Sequence, residues 1–315
     1  MAVGLVIKST GSWQTIKTED NDFLECKIKG KLKIGNIVTT NPVAVGDKVE
    51  YKIIDKERIG IISKIFPRKN YIIRRSINLS RQAHIIAANV DQAFLIITIV
   101  NPQTNTQFID RFLVSAEAYS IPVIIVINKS DIYNNSQKAE LKKLVSVYEN
   151  IGYQCVIISS LKKINTEIIR NLCVDKISVF SGNSGVGKST LINILDPEKQ
   201  LRTAEISDFH LTGKHTTTFS EMVQLHTGGY IIDTPGIKGF GIIDIEKNEL
   251  YHFFPEIFKI SKKCRYHNCT HINEPDCAVK GAVEDNIISE SRYQNYYNMY
   301  YDDDSKYRQS IKSGK

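Results

Sequence analysis

The segment Ile177-Ser178-Val179-Phe180, then Gly182-Asn183-Ser184-Gly185-Val186-Gly187-Lys188-Ser189-Thr190, then Leu191-Ile192-Asn193-Ile194-Leu195 reads as a buried strand, a glycine-rich turn and a helix in direct succession. The turn matches G-x-x-x-x-G-K-[ST] in the strand-to-helix setting that phosphate binding requires. Glycines allow backbone angles that aim several N–H groups at phosphate oxygens beside a helix amino terminus. Lys188 supplies charge for the β- and γ-phosphates, and the Ser189 hydroxyl is suited to Mg²⁺. Residues 182–190 are therefore the candidate phosphate-binding loop.

Working outward, apolar runs alternate with helical periodicity. Ala93 to Val100 reads as a buried strand, and Ile109, Phe112, Leu113 and Ala116 repeat as one face of a helix. Val123 to Ile127 and Cys155 to Ile158 read as further strands, with helices near Lys138 to Glu149 and Glu167 to Leu172, so a mostly parallel α/β sheet is expected. At the carboxyl end of one strand stands Asn128-Lys129-Ser130-Asp131, where open α/β sheets bind ligands. A carboxylate at Asp131 can accept from both guanine N1–H and the exocyclic amine, whereas adenine would face it with a lone pair. Guanine, hence GTP, is the expected base. Asn128 is expected at the base edge and the Lys129 stem along the ring, while Ser159-Ser160-Leu161 offers a backbone N–H for guanine O6. Asp233-Thr234-Pro235-Gly236 follows the short strand Tyr230 to Ile232; its D-x-x-G spacing puts Asp233 at Mg²⁺ and the Gly236 N–H at the γ-phosphate. In Ras-type GTPases the P-loop comes first and N-K-x-D late. Here N-K-S-D and S-S-L precede the P-loop, so the domain reads as circularly permuted, which an exposed new cut point tolerates.

The flanks differ in composition. Residues 1–67 show short β-branched runs punctuated by Gly30, Gly35-Asn36, Asn41-Pro42, Gly46-Asp47 and Gly60, a small all-β unit. Residues 244–315 hold a cysteine cluster, many tyrosines and helix-compatible stretches, in a unit too small for a large core. The expected division is 1–67, 68–243 and 244–315. Of the six cysteines, three crowd into Cys264, Cys269 and Cys277 while Cys26, Cys155 and Cys173 are scattered, which favours a metal over disulfides. Those three thiols with His271 or His267 would close a structural tetrahedral Zn²⁺ site. The 315 residues carry a net charge of +7, compatible with a polyanionic partner without requiring one. No apolar run has membrane-spanning length, and the first residues resemble neither a secretory signal nor a transit peptide, so a cytoplasmic protein is expected. Lys27, Lys29, Lys31 and Lys33 alternate with Ile28, Gly30, Leu32 and Ile34. Strand geometry sets such lysines on one face, either a solvated polar face or a ribbon for phosphates.

The motif order, Ala87-Ala88-Asn89-Val90-Asp91, Gly213-Lys214-His215-Thr216-Thr217-Thr218 and the cysteine cluster together resemble the RsgA (YjeQ/YloQ) family of circularly permuted GTPases, biogenesis factors of the small ribosomal subunit. The resemblance spans nearly the whole chain. It implies an amino-terminal OB-fold barrel, a central permuted P-loop GTPase domain and a mostly helical carboxyl-terminal zinc domain. It also implies GTP hydrolysis stimulated by the small subunit, with the subunit and its rRNA as partners of a monomer. Within the cluster it points to His271 rather than His267. Because Ile237 stands where Ras-type enzymes carry the water-positioning Gln, it points to His215 as the residue that orients water. One of Thr216 to Thr218, taken as Thr217, would join Ser189 and Asp233 at Mg²⁺. It favours RNA for the lysine ribbon; Tyr293 to Tyr301 with Arg292, Lys306, Arg308, Lys312 and Lys315 are either further RNA contacts or, for the tyrosines, packing of the last helix. A second functional class is an RNA-binding module gated by nucleotide with negligible turnover. A third, an ATP-dependent enzyme, would make N-K-S-D a coincidence.

Overall fold

The computed structural model describes residues 2–29, 42–54, 59–75, 83–196, 220–233 and 245–302. The amino-terminal strands β1 (Ala2–Ser9), β2 (Gln14–Thr18), β3 (Phe23–Ile28), β4 (Lys48–Ile54) and β5 (Ile59–Ile65) close on themselves in the order β1-β2-β3-β5-β4-β1, with only β3–β5 parallel. Alternation places Val6, Ile16, Cys26, Val49, Tyr51 and Ile62 inside, the core of the expected barrel. A bidentate pair secures one end: Arg68 donates to the two Asp47 oxygens at 2.6 and 2.6 Å, both side chains buried. Strands β6 (Tyr71–Arg75) and β7 (Ala83–Ala88) form a separate antiparallel pair. They lead into Asn89, which donates to the Gly46 carbonyl at 2.8 Å, and Asp91, which accepts from the Ile177 N–H at 2.7 Å. The A-A-N-V-D segment thus joins barrel to sheet.

The central unit continues with β8 (Gln92–Ile97), α1 (Thr106–Ala118), β9 (Val123–Ile127), α2 (Asn135–Ile151), β10 (Gln154–Ile157), α3 (Thr166–Cys173), β11 (Ile177–Ser181), α4 (Lys188–Leu195), β12 (Ser220–Gln224) and β13 (Tyr230–Asp233). The order β10-β9-β8-β11-β13-β12 is parallel except for β12. Every residue of β8 is buried because both faces are covered: Phe94 and Ile96 join the core under α3 and α4, Leu95 and Ile97 the core under α1 and α2. The strand stops at Ile97 rather than running to Val100, since the Thr98 N–H turns away to the Thr104 hydroxyl at 3.1 Å. On the far side β12 pairs antiparallel with β1, so barrel and central unit share one eleven-stranded sheet. Lys17 bridges this seam, donating to Gln224 Oε1 and the Tyr230 hydroxyl at 3.1 and 3.1 Å.

The carboxyl-terminal unit comprises a 3₁₀ segment (Lys247–Phe253), α5 (Pro255–Ser261), α6 (Ala278–Glu284) and α7 (Glu290–Tyr301). Its core, with Phe254, Ile257, Val279, Ile288 and Tyr296, includes Val114 from α1. Polar groups also cross this boundary. Arg292, 1 % exposed, donates to Asp110 of α1 at 2.6 Å and to Glu256 of α5 at 2.7 and 3.1 Å. Asp110 further accepts from Tyr148 of α2 at 2.7 Å and Asn295 at 2.6 Å. Arg292 is therefore corrected from an RNA contact to a buried interdomain cation. Among the described residues no helix is long and apolar enough to cross a membrane.

Candidate nucleotide site and metal centre

Parallel register brings separated motifs to one edge. Ile97 and Ile157 pair with Ile127, Ser181 with Leu95, and Val179 with Ile232. Asn128-Lys129-Ser130-Asp131, Ser159-Ser160 and Gly182 to Gly187 consequently leave the sheet together at its carboxyl edge. Asp233 ends the neighbouring β13.

Gly182 (φ 147°) and Gly187 (φ 95°) occupy positive-φ positions. A Cβ on Gly182 would lie 2.2 Å from the Ile96 carbonyl oxygen, and one on Gly187 2.4 Å from Asn128 Nδ2, so any side chain there would push these loops apart. Val186 anchors the loop from below, fully buried among the residues under α3 and α4. Lys188 Nζ lies over the loop, donating to the Gly182 carbonyl at 2.5 Å and the Asn183 carbonyl at 3.0 Å. Ser189 and Thr190 form the first turn of α4 beyond the Gly187 cap, with Thr190 exposed. Asn183 is half-buried, and Ser184 and Gly185 exposed, at the loop tip.

Asn128 is a hub. Its Nδ2 donates to the Val186 carbonyl at 2.8 Å, and its Oδ1 accepts from the Ser160 N–H and hydroxyl at 2.9 and 3.0 Å. One buried amide thus ties the P-loop, N-K-S-D and S-S-L together, a role the sequence reading, which set Asn128 at the base edge, did not anticipate. Ser159 holds Asp131 in place: its hydroxyl donates to Oδ1 at 2.5 Å while the rest of the carboxylate faces out. Lys129 adopts φ 62° and donates to the Asn101 carbonyl at 2.5 Å. Within S-S-L, the Ser159 N–H is used by the Ile164 carbonyl and the Ser160 N–H by Asn128, leaving that of Leu161 without a partner among the described residues. His215, Thr217 and Gly236 lie outside the described residues, as does the Asp233 side chain.

In the carboxyl-terminal unit the ligand atoms of Cys264, Cys269, His271 and Cys277 lie within 4.8 Å of one another. His271 Nδ1 is 3.6 Å from Cys264 Sγ and 3.5 Å from Cys277 Sγ; Cys277 Sγ is 3.9 Å from that of Cys264 and 3.7 Å from that of Cys269. A tetrahedral ion with bonds of about 2.3 Å to sulfur and about 2.0 Å to nitrogen spaces its ligands about 3.5 to 3.8 Å apart, so the donor set fits Zn²⁺. Burial pushes the Cys269 thiol up to about 12 and lowers the His271 imidazole, so a cation would compensate what burial opposes at sulfur, while burial favours the neutral imidazole form that can ligate a metal. His267 is exposed and outside the cluster. Cys26, Cys155 and Cys173 are unpaired thiols elsewhere.

Supports of this loop went unread in the sequence. Glu274 accepts from the Thr270 N–H and hydroxyl at 2.8 and 2.7 Å and from the Ile272 N–H at 3.1 Å. Burial alone would raise its carboxyl, but these bonds outweigh it and hold it at about 2. Tyr293 donates to the His271 carbonyl at 2.7 Å and Tyr296 to that of Thr270 at 2.5 Å. Those two tyrosines pack the helix against the cluster, whereas Tyr297 and Tyr301 are 38 % and 50 % exposed. On the barrel, Lys27 in β3 and Lys29 just after it are exposed, with Lys27 Nζ 4.3 Å from the Trp13 ring centroid; Lys31, Lys33, Lys306, Arg308, Lys312 and Lys315 lie outside the described residues.

Comparison with known proteins places these features in a family. The family model for the RsgA N-terminal domain matches residues 3–62, and that for the RsgA GTPase matches residues 65–243. The small ribosomal subunit biogenesis GTPase RsgA of Phocaeicola vulgatus is 55 % identical over 97 % of this chain and 98 % of its own length. That of Flavobacterium psychrophilum is 51 % identical over 98 % of this chain and 95 % of its own. The crystal structure of YjeQ from Thermotoga maritima superposes with a TM-score of 0.79 at 34 % identity, covering 95 % of this chain and 97 % of the other. YloQ, a circularly permuted GTPase, gives 0.73 at 30 % identity, over 95 % and 94 %.

Proposed function

The chain belongs to the RsgA GTPase family, and from that premise we propose that it hydrolyses GTP on the small ribosomal subunit during late maturation, the subunit stimulating hydrolysis and hydrolysis driving release. The observation that carries this is the meeting of N-K-S-D, S-S-L and the P-loop at one sheet edge, joined through Asn128 although the chain visits them in permuted order.

In this reading Asp131, steadied by Ser159, takes the guanine N1–H and amine, and the Leu161 N–H meets O6. The stems of Lys129 and Ser130 flank the base, while Gly182 to Thr190 receive the phosphates, with Lys188 exchanging its loop carbonyls for phosphate oxygens. Ser189, Asp233 and Thr217 would hold the Mg²⁺ that accompanies the nucleotide, which would supply charge neutralisation at the phosphates. The Gly236 N–H reads the γ-phosphate, and neutral His215 accepts from the attacking water, the task Gln performs in Ras-type enzymes. Cys264, Cys269, His271 and Cys277 would hold a structural Zn²⁺ that ties their loop to the helical core, in which Cys269 and Cys277 are themselves buried. Domain limits at 67 and 243, a monomeric state, a cytoplasmic site of action and rRNA contact through Lys27, Lys29 and Trp13 complete the proposal.

The test is competition. Bound fluorescent GTP should be displaced by GDP and not by ADP, and Asp131→Asn should weaken guanine binding by orders of magnitude, since an amide presents a donor where the base also donates. Displacement by ADP as effective as by GDP would favour the adenine reading.

A further inference from the structure

Tyr133 follows the N-K-S-D motif, and no sequence pattern marks it. It is 4 % exposed, its ring packed in the core under α1 and α2. Its hydroxyl donates to the Asn128 carbonyl and accepts from the Ile99 N–H at 3.1 Å. Two constraints follow. The bond to Asn128 joins the first and last residues of the loop 128–133, closing the short peptide that carries Asp131. The bond from Ile99 fixes that loop to the segment after β8, whose Asn101 carbonyl takes the Lys129 ammonium and whose Pro102 lies against Gly185 of the P-loop, where a Cβ would sit 3.5 Å from Pro102 Cδ.

Besides the Asn128 N–H, which donates to the Ile97 carbonyl at 2.9 Å, few backbone bonds hold the loop among the described residues. The Ser130 N–H reaches the Ile158 carbonyl at 3.1 Å and the Ile132 N–H the Lys129 carbonyl at 3.1 Å, while Lys129 keeps its left-handed turn. Among the described residues the Asp131 carboxylate is tied only through the Ser159 hydroxyl. Removing the Tyr133 hydroxyl frees the Asn128 carbonyl and leaves the Ile99 N–H buried without its acceptor, so the loop can shift relative to the sheet. A displaced Asp131 weakens two hydrogen bonds to guanine but only one to hypoxanthine, which lacks the exocyclic amine.

We infer that Tyr133 is a specificity-positioning residue, its hydroxyl holding the N-K-S-D loop in the register that sets Asp131 for two-point recognition of guanine. This rests on the guanine-site reading above.

The experiment is equilibrium binding of GTP, ITP and ATP to the full chain and to Tyr133→Phe, with thermal midpoints recorded without nucleotide. Expected for the variant are GTP binding weakened about 10-fold, within the range for one lost buried hydrogen bond, ITP binding weakened less, and a GTP-to-ITP preference reduced at least about 3-fold. Tyr133→Leu should repeat that loss. If the wild-type chain prefers GTP over ATP and Tyr133→Phe keeps the wild-type GTP-to-ITP ratio, whatever its midpoint, the hydroxyl serves packing alone and the inference is overturned. Absence of any GTP-over-ATP preference in the wild-type chain would instead overturn the guanine site, and this inference with it.

Discussion

Arg292→Met tests the interdomain lock. The substitution keeps a flexible apolar stem against Phe254, whose ring centroid lies 4.6 Å from the Arg292 guanidinium carbon, and removes the cation. Asp110, 1 % exposed, and Glu256, 12 % exposed, are then left without their shared cation. Removing one partner from a buried pair costs about 3 to 5 kcal/mol. Asp110 keeps its donors Tyr148 and Asn295, so the lower end applies: about 3 kcal/mol, roughly a hundredfold in the folded-to-unfolded ratio. Urea unfolding followed by circular dichroism measures it, in a cycle with Asp110→Asn. The double variant should lose at least about 1 kcal/mol less than the sum of the singles, because each single leaves a charge that the other removes. Stability of Arg292→Met within about 0.5 kcal/mol of wild type, or strict additivity, would refute the picture of a desolvated, mutually dependent pair.

Ser189→Ala should abolish Mg²⁺-dependent turnover while leaving the fold intact by circular dichroism; wild-type turnover would remove Ser189 from the metal shell. His215→Ala should bind GTP normally yet lose the stimulated component of hydrolysis, and unchanged stimulation would take His215 out of the mechanism. Glu274→Gln should release zinc to a chromogenic chelator faster than wild type, since the ionised acceptor of three bonds across the cysteine loop is replaced by a neutral one. Equal release rates would mean that the thiols and Tyr293 hold the loop by themselves.

The central sheet was readable because burial on both faces makes β8 and β9 nearly continuous apolar runs, and because glycine turns and strand ends locate candidate ligand loops. The permuted order of motifs was equally plain. The barrel was legible as short β-branched strands, but its closure depends on pairings such as β1–β4 that no local pattern encodes. Arg292 was misread for a physical reason. An arginine beside tyrosines on a polar helix looks like a phosphate contact, and its true partner lies 182 residues earlier. Likewise the cysteine spacing pointed to a cluster able to hold a metal, while the choice between His267 and His271 came from family resemblance and is explained by which imidazole joins the thiols. Asn128 and Tyr133 show the remaining limit: a motif names groups that meet the ligand, but not the bonds that hold those groups in place.

Steady-state GTP hydrolysis by the purified chain alone, with small ribosomal subunits, and with large subunits as control tests the proposed GTPase switch most directly. Strong stimulation by the small subunit only, lost in Ser189→Ala, is the predicted result. Negligible turnover despite intact binding of both GTP and the small subunit would contradict it and leave a nucleotide-gated binding module in its place.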